Sequence, residues 1–126
     1  MAEQPHPFRR AAEAKDLELL TETLREDVVL HSPILFRGFE GREAVAMVLT
    51  HVAATLEDLT YVDELAGERS VALRFQANVG DRQLEGIDFL ELDEEGKVAE
   101  LTVFMRPLSA LTRFNEQMAA RLGATT

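Results

Sequence analysis

Residues 86–98 read Gly86-Ile87-Asp88-Phe89-Leu90-Glu91-Leu92-Asp93-Glu94-Glu95-Gly96-Lys97-Val98, and their alternation governs the reading of the whole chain. Successive side chains of an extended strand point to opposite faces, so Gly86, Asp88, Leu90 and Leu92 share one face while Ile87, Phe89 and Glu91 share the other. Both faces are apolar at the centre. From Asp93 to Gly96 the pattern breaks, and the glycine supplies the positive φ that a tight hairpin loop requires. Asp88 is the odd member, a carboxyl among apolar neighbours on a central strand, where burial penalises the ion and raises its pKa.

Period-two alternation continues on both sides of this segment. It covers Leu59 to Tyr61, then Val71, Leu73, Phe75, Ala77 and Val79, then residues 84–92, then Val98 to Arg106. In the last run Leu101, Val103 and Met105 face one way, and Thr102, Phe104 and Arg106 the other. Gly80-Asp81 and the Asp93–Gly96 break punctuate the last three strands, which predicts an antiparallel meander.

Upstream the period changes. Phe8, Ala11 and Ala12, then Leu17, Leu20 and Leu24, form two helical sets separated by Lys15-Asp16, with Asp16 placed to cap the second. Val28 to Phe36 reads as a short strand and a loop, with Pro33 pointing to an edge or a bulge. Glu43 to Leu56 carries Val45, Val48, Leu49, Val52 and Leu56 on one helical stripe. Pro107 suits the first turn of a closing helix with Leu108, Leu111, Met118 and Leu122 on one side and Gly123 just past its end. Helices first and a meander afterwards predict one α+β domain over residues 1–126, its helices packed on one face of a curved sheet.

Composition narrows the function classes. Apolar residues make up 46% of the 126, enough to support a single core. There are no cysteines, which excludes disulfides, thiolate metal sites and cysteine nucleophiles and suits the cytoplasm. No segment has the apolar length of a membrane span. Thirteen basic against twenty-three acidic side chains give a formal charge of −10 without a clustered basic patch, so neither nucleic acid nor a membrane is an expected partner.

The segment from Gly86 to Val98 resembles the strand, hairpin and strand of ketosteroid isomerase and of SnoaL-like polyketide cyclases, members of the nuclear transport factor 2-like superfamily. The order of parts is similar over nearly the whole chain: a broken helix pair, a strand ending at Ser32-Pro33, a helix started by Gly41, then the meander. The resemblance implies a cone-shaped, mostly antiparallel sheet with helices on its concave face, the cystatin-like α+β roll. It also implies an apolar pocket, which different members use for isomerisation, cyclisation, hydrolysis, dehydration or binding alone. Asp88 matches the position of the isomerase's protonated aspartate, which donates to a developing enolate oxygen. Ser32 stands where that enzyme has its aspartate base, and Phe8 where it has a hydrogen-bonding tyrosine. A serine does not take up a proton unaided and a phenylalanine has no donor, so the isomerase's own chemistry is not expected.

Asp88 is therefore the first candidate catalytic residue, with His31, Ser32 and His51 as helpers. His31 and Ser32 are strand neighbours facing opposite ways, which disfavours a dyad, whereas either histidine could act alone as a base near neutral pH. Phe8, Val48, Phe75, Leu90, Leu101, Val103 and Met105 are the candidate pocket walls. Asp63 and Arg74 could join Asp88 in activating water, but Arg74 lies on the face opposite Leu73 and Phe75. The three histidines are too scattered for a metal site, and no cofactor is implied. The expected ligand is a small hydrophobic molecule bearing an oxygen. Phe89 and Phe104 on the outer sheet face point to a homodimer. The contrasting reading is a non-catalytic binding or dimerisation module in which Asp88 is structural and side chains fill the pocket.

Overall fold

Four helices and six strands follow one another in the computed structural model, which describes residues 5–122: α1 (Pro7–Ala14), α2 (Leu17–Glu22), β1 (Leu24–His31), β2 (Phe39–Glu40), α3 (Arg42–Thr55), β3 (Glu57–Ala66), β4 (Ser70–Val79), β5 (Arg82–Leu92), β6 (Val98–Arg106) and α4 (Leu108–Leu122). The strands form one sheet in the order β2-β1-β6-β5-β4-β3. Every neighbouring pair is antiparallel except β1 with β6. Register shifts between Glu57 and Thr60, between Tyr61 and Asp63, and between Glu91 and Leu92 each add one residue to one strand, as bulges do, and bulges bend and twist a sheet; a larger irregularity separates Leu24 from Val29 in the β1–β6 pair. The sheet is curved and open, with the helices on its concave side. Among the described residues no helix is long and apolar enough to cross a membrane.

The local signals explain the elements. Asp16 caps α2, its Oδ1 accepting from the Leu19 amide at 3.1 Å. Gly80 opens the β4–β5 turn at φ 61, and Val79 pairs with Arg82 across it. A positive-φ glycine at the first of two turn residues matches the twist of the flanking strands. Burial along β4 and β5 follows the alternation: Val71, Leu73, Phe75, Ala77 and Val79 are buried, as are Leu84, Gly86, Asp88 and Leu90.

Four sequence readings are corrected. Leu24 opens β1 instead of closing the second helix, because the Thr23 amide and hydroxyl both bond back to the Leu20 carbonyl while the Val98 amide takes the Thr23 carbonyl into the sheet. Pro33 lies on neither an edge strand nor a bulge: β1 sits between β2 and β6 and ends at His31, so Pro33 occupies the loop where no ladder amide is required. β3 is ten residues long, well beyond Leu59–Tyr61, because its polar positions face solvent and its bulges break the period. The buried face of α4 is Ala110, Phe114 and Met118, spaced four apart, whereas Leu108 and Leu122 are exposed. Gly123 lies outside the described residues. The short β2, paired with Val29 and Leu30, had no signal in the alternation.

Gly86 leaves no room for a side chain. A Cβ there would lie 2.1 Å from the Phe104 carbonyl oxygen and 2.6 Å from Phe75 Cζ, so only glycine lets the Phe75 ring settle against β5. Gly86→Ala is expected to destabilise the fold by about 3 kcal/mol through overpacking, read as a lowered urea midpoint. A variant of unchanged midpoint would mean that the strands part more easily than this packing implies.

Candidate functional site

A cavity of about 390 Å³ lies between the curved sheet and the helices. Its walls are mainly apolar. Phe75, Val103 and Met105 come from the sheet, Val48, Leu49 and Val52 from α3, Phe8 from α1, and Phe114 and Met118 from α4. Five polar side chains also reach it: Lys15, Ser32, Tyr61, Asp88 and Asn115.

Asp88 lies in the sheet floor, paired with Leu73 on β4 and Val103 on β6, and is only 8% exposed. Tyr61 Oη, from β3, donates to Asp88 Oδ2 at 2.6 Å. Tyr61 is in turn placed by α1. The Glu13 carboxylate accepts from the Tyr61 amide at 2.9 Å, and Arg9 donates to the Tyr61 carbonyl at 3.2 Å and to Glu64 at 3.1 Å. The Tyr61 ring meets Phe75 edge-on at 6.0 Å. Asp88 Oδ1 has no hydrogen-bond partner among the described residues. Because no buried side-chain polar atom among the described residues lacks a partner, that oxygen is open to the cavity.

Burial pushes the Asp88 carboxyl up to about 6, with the Tyr61 hydrogen bond pulling the other way. Burial and the neighbouring Asp88 charge raise the Tyr61 phenol well above its usual value, so it remains a donor at all working pH. The pair is thus one fixed phenol and one carboxyl that changes charge near neutrality.

The remaining candidates divide clearly. Ser32 lines the cavity, but its Oγ accepts from the amides of Ile34 at 3.2 Å and Leu35 at 3.1 Å, so it shapes the following loop. Phe8, Val48, Phe75, Val103 and Met105 are walls of the cavity. Leu90 and Leu101 are not. They pair with each other one step nearer the β5–β6 hairpin, wholly buried in the closed part of the core. His31 is also misplaced as a pocket base: it pairs with Thr102, which pairs with Phe89, so it stands on the sheet face opposite Asp88. There its Nε2 lies 2.6 Å from Glu100 Oε2. His51 is half-buried on α3 and does not reach the cavity, since the stripe of Val48, Leu49 and Val52 occupies that side. Arg74 points outward onto Glu85 at 3.0 Å, away from Asp88. No group of three possible metal ligands occurs among the described residues. Sequence reasoning missed Tyr61 as a site residue, although it is the chain's one tyrosine and falls on the inward face of its run.

A family model for the SnoaL-like domain matches residues 7–101. The chain belongs to the SnoaL-like family. Among solved structures, this SnoaL-like chain is similar to a steroid delta-isomerase from Pseudomonas aeruginosa, with 35% identity, a TM-score of 0.88 and coverage of 93% of this chain and 87% of that one. It is also similar to an uncharacterised bacterial protein with a cystatin-like fold from Silicibacter pomeroyi, with 28% identity, a TM-score of 0.89 and coverage of 94% and 84%. A nuclear transport factor 2-like protein of unknown function from Cytophaga hutchinsonii shares the fold at 17% identity, with a TM-score of 0.66 and coverage of 83% and 88%. No curated protein matches this SnoaL-like sequence.

The raised Asp88 carboxyl sets the sign of a pH dependence. Below about pH 4 the group is protonated in both folded and unfolded chains; between about 4 and 6 the unfolded chain loses the proton first, so stability falls as pH rises, by about 3 kcal/mol in all. Asp88→Asn keeps an acceptor for Tyr61 and removes this loss. It is expected to be at least as stable as the wild type at pH 7 and to lose that advantage by pH 4, measured by urea unfolding across the range. A variant equally destabilised at both pH values would contradict the buried, titrating carboxyl.

Proposed function

We propose that this SnoaL-like protein binds a small, mostly hydrophobic, oxygen-bearing molecule in the cavity and that Asp88 moves a proton on it. Candidate reactions are proton-transfer isomerisation, cyclisation or dehydration. The observation that carries the reading is Asp88 Oδ1, a free carboxyl oxygen with its pKa near 6, facing an apolar space of about 390 Å³. A cavity of that size suits a small ligand, and its few polar groups would set the ligand's orientation. At neutral pH the carboxylate is mostly ionised, which makes it a proton acceptor first and, once protonated, the donor that returns the proton. Tyr61 occupies Oδ2, so the transferring oxygen is Oδ1. Similarity to a steroid delta-isomerase at 35% identity supports proton transfer within the family's range. Ser32 and Phe8, at the positions of that chemistry's base and tyrosine, leave Asp88 to act as the base itself.

A second reading follows from the Tyr61 bond, which joins β3 to β5 across β4 and could make Asp88 structural in a non-catalytic binding or dimerisation module. The two separate in a thermal-shift screen of planar phenols, steroids and aromatic ketones on wild type and Asp88→Asn. The catalytic reading expects stabilisation of the wild type that weakens in Asp88→Asn, and turnover of a stabilising ligand that rises with pH through about 6 as the base ionises. No stabilisation by any compound, with a variant much less stable than the wild type at pH 7, would establish the structural role instead.

The protein is further proposed to be a homodimer through the outer sheet face. Ile87 and Phe104 pair directly there at 38% and 55% exposure, with half-buried Phe89 beside them. Large apolar groups grouped on one face favour a covering partner. Phe104→Glu is expected to convert the dimer to monomer in sedimentation at micromolar concentration, and a fully dimeric variant would place the interface elsewhere.

A further inference from the structure

Lys15 is the one cation among the described residues that line the cavity. It sits at the corner between α1 and α2, at φ 54, and is exposed, so it belongs to the rim, while Asp88 lies in the sheet floor. Its Nζ donates to the Leu56 carbonyl at 3.2 Å, which places the ammonium over the C-terminal end of α3. The Arg121 guanidinium donates to the Ala54 carbonyl, so the C-terminal end of α4 also reaches this helix end.

The end of α3 favours a cation, yet the surroundings give the ammonium no carboxylate partner. The chain has twenty-three acidic against thirteen basic side chains, yet Lys15 pairs with no carboxylate among the described residues. The two nearest in sequence are committed elsewhere: Glu13 takes the Tyr61 amide, and Asp16 takes the Leu19 amide at the start of α2. One carbonyl uses one of three ammonium donors, and the others are free to meet a ligand. Besides Lys15, the cavity-lining polar groups without a structural task among the described residues are Asp88 Oδ1 in the sheet floor and the exposed Asn115.

We infer that the ligand is an elongated apolar acid, its oxygen-bearing end at Asp88 and a carboxylate at its far end held by Lys15. This rests on the ligand-binding reading of the cavity and specifies its substrate class. The apolar middle meets the phenylalanine, valine and methionine walls, and the carboxylate stays at the wet rim, where the ion keeps much of its hydration. Lys15 is then a specificity residue, fixing which end enters first.

Two probes of the same core separate the possibilities: 4-phenylphenol, and 4′-hydroxybiphenyl-4-carboxylate, which adds the acid at the far end. Calorimetric binding is measured on wild type, Asp88→Asn, Lys15→Arg and Lys15→Gln, the last keeping a donor for Leu56 without the charge. The wild type and Lys15→Arg are expected to prefer the acid by about fivefold, the scale of one partly exposed ion pair, with the preference shrinking as salt is raised. Lys15→Gln should lose that preference and bind the neutral phenol as the wild type does. Phenol binding that depends on Asp88, with no preference for the acid or with a preference that survives Lys15→Gln, would overturn the role of Lys15 and leave the ligand pocket standing. Binding of neither probe would overturn both.

Discussion

A curved sheet cannot press its whole concave face against straight helices, and the rest of this structure follows from that mismatch. Bulges in β3 and along the β5–β6 pair, with a larger register irregularity in β1, accompany the curvature of the six strands. The helices pack on the sheet without filling the space above it, α4 lying on the inner strands β4, β5 and β6, and the interval that remains is the cavity. Apolar side chains line this interval because it must coexist with a hydrophobic core, and an apolar space of this kind persists only where the surrounding packing is rigid. Gly86 belongs to that rigidity. By carrying no side chain it lets Phe75 lie close against the neighbouring strand, where the ring forms part of the wall.

Within such a space a carboxyl changes character. In water Asp88 would be ionised well below neutrality; in the floor of the cavity the loss of hydration moves its proton equilibrium to about pH 6. Tyr61 limits the move by donating to one oxygen, and α1 limits the freedom of Tyr61 through Glu13 and Arg9. One short helix therefore connects the wall of the cavity, through Phe8, to the orientation of its acidic group. The cost of holding this carboxyl in an apolar place is borne by the fold, a common relation between stability and a functional group. The two sheet faces also divide the chemistry. Asp88 and Tyr61 lie inside, whereas the His31–Glu100 pair and the exposed Ile87 and Phe104 lie on the outer face.

Much of this was legible in the chain. Residues 71–79, 84–92 and 98–106 alternate, so strand identity and the meander followed from the period, which also put Asp88 on the face of Gly86, Leu90 and Leu92. The stripe on residues 43–56 identified α3, and Asp16 announced the cap of α2. Signals failed where neighbours in space outweighed neighbours in sequence. Leu24 kept the helical spacing of Leu17 and Leu20 but was drawn into the sheet by Val98, and β3 hid its period behind solvent-facing acids and bulges. Leu90 and Leu101 show that alternation names the inward face without saying which part of that face is covered and which lines a space.

The sequence by itself determined the α+β class, the order of the strands that form the meander, the burial of Asp88 and the absence of any thiol chemistry, because each depends on residue type or on a local period. Only the tertiary structure decided the rest. The partnership of Tyr61 with Asp88 spans twenty-seven residues and a strand lying between them; the removal of His31 to the far side follows from the parallel pairing of β1 with β6; and the rim position of Lys15 depends on a helix end forty-one residues away. A period fixes the direction of a side chain relative to its own strand or helix, but distance between elements comes from the curvature and register of the assembled sheet, which no local pattern encodes.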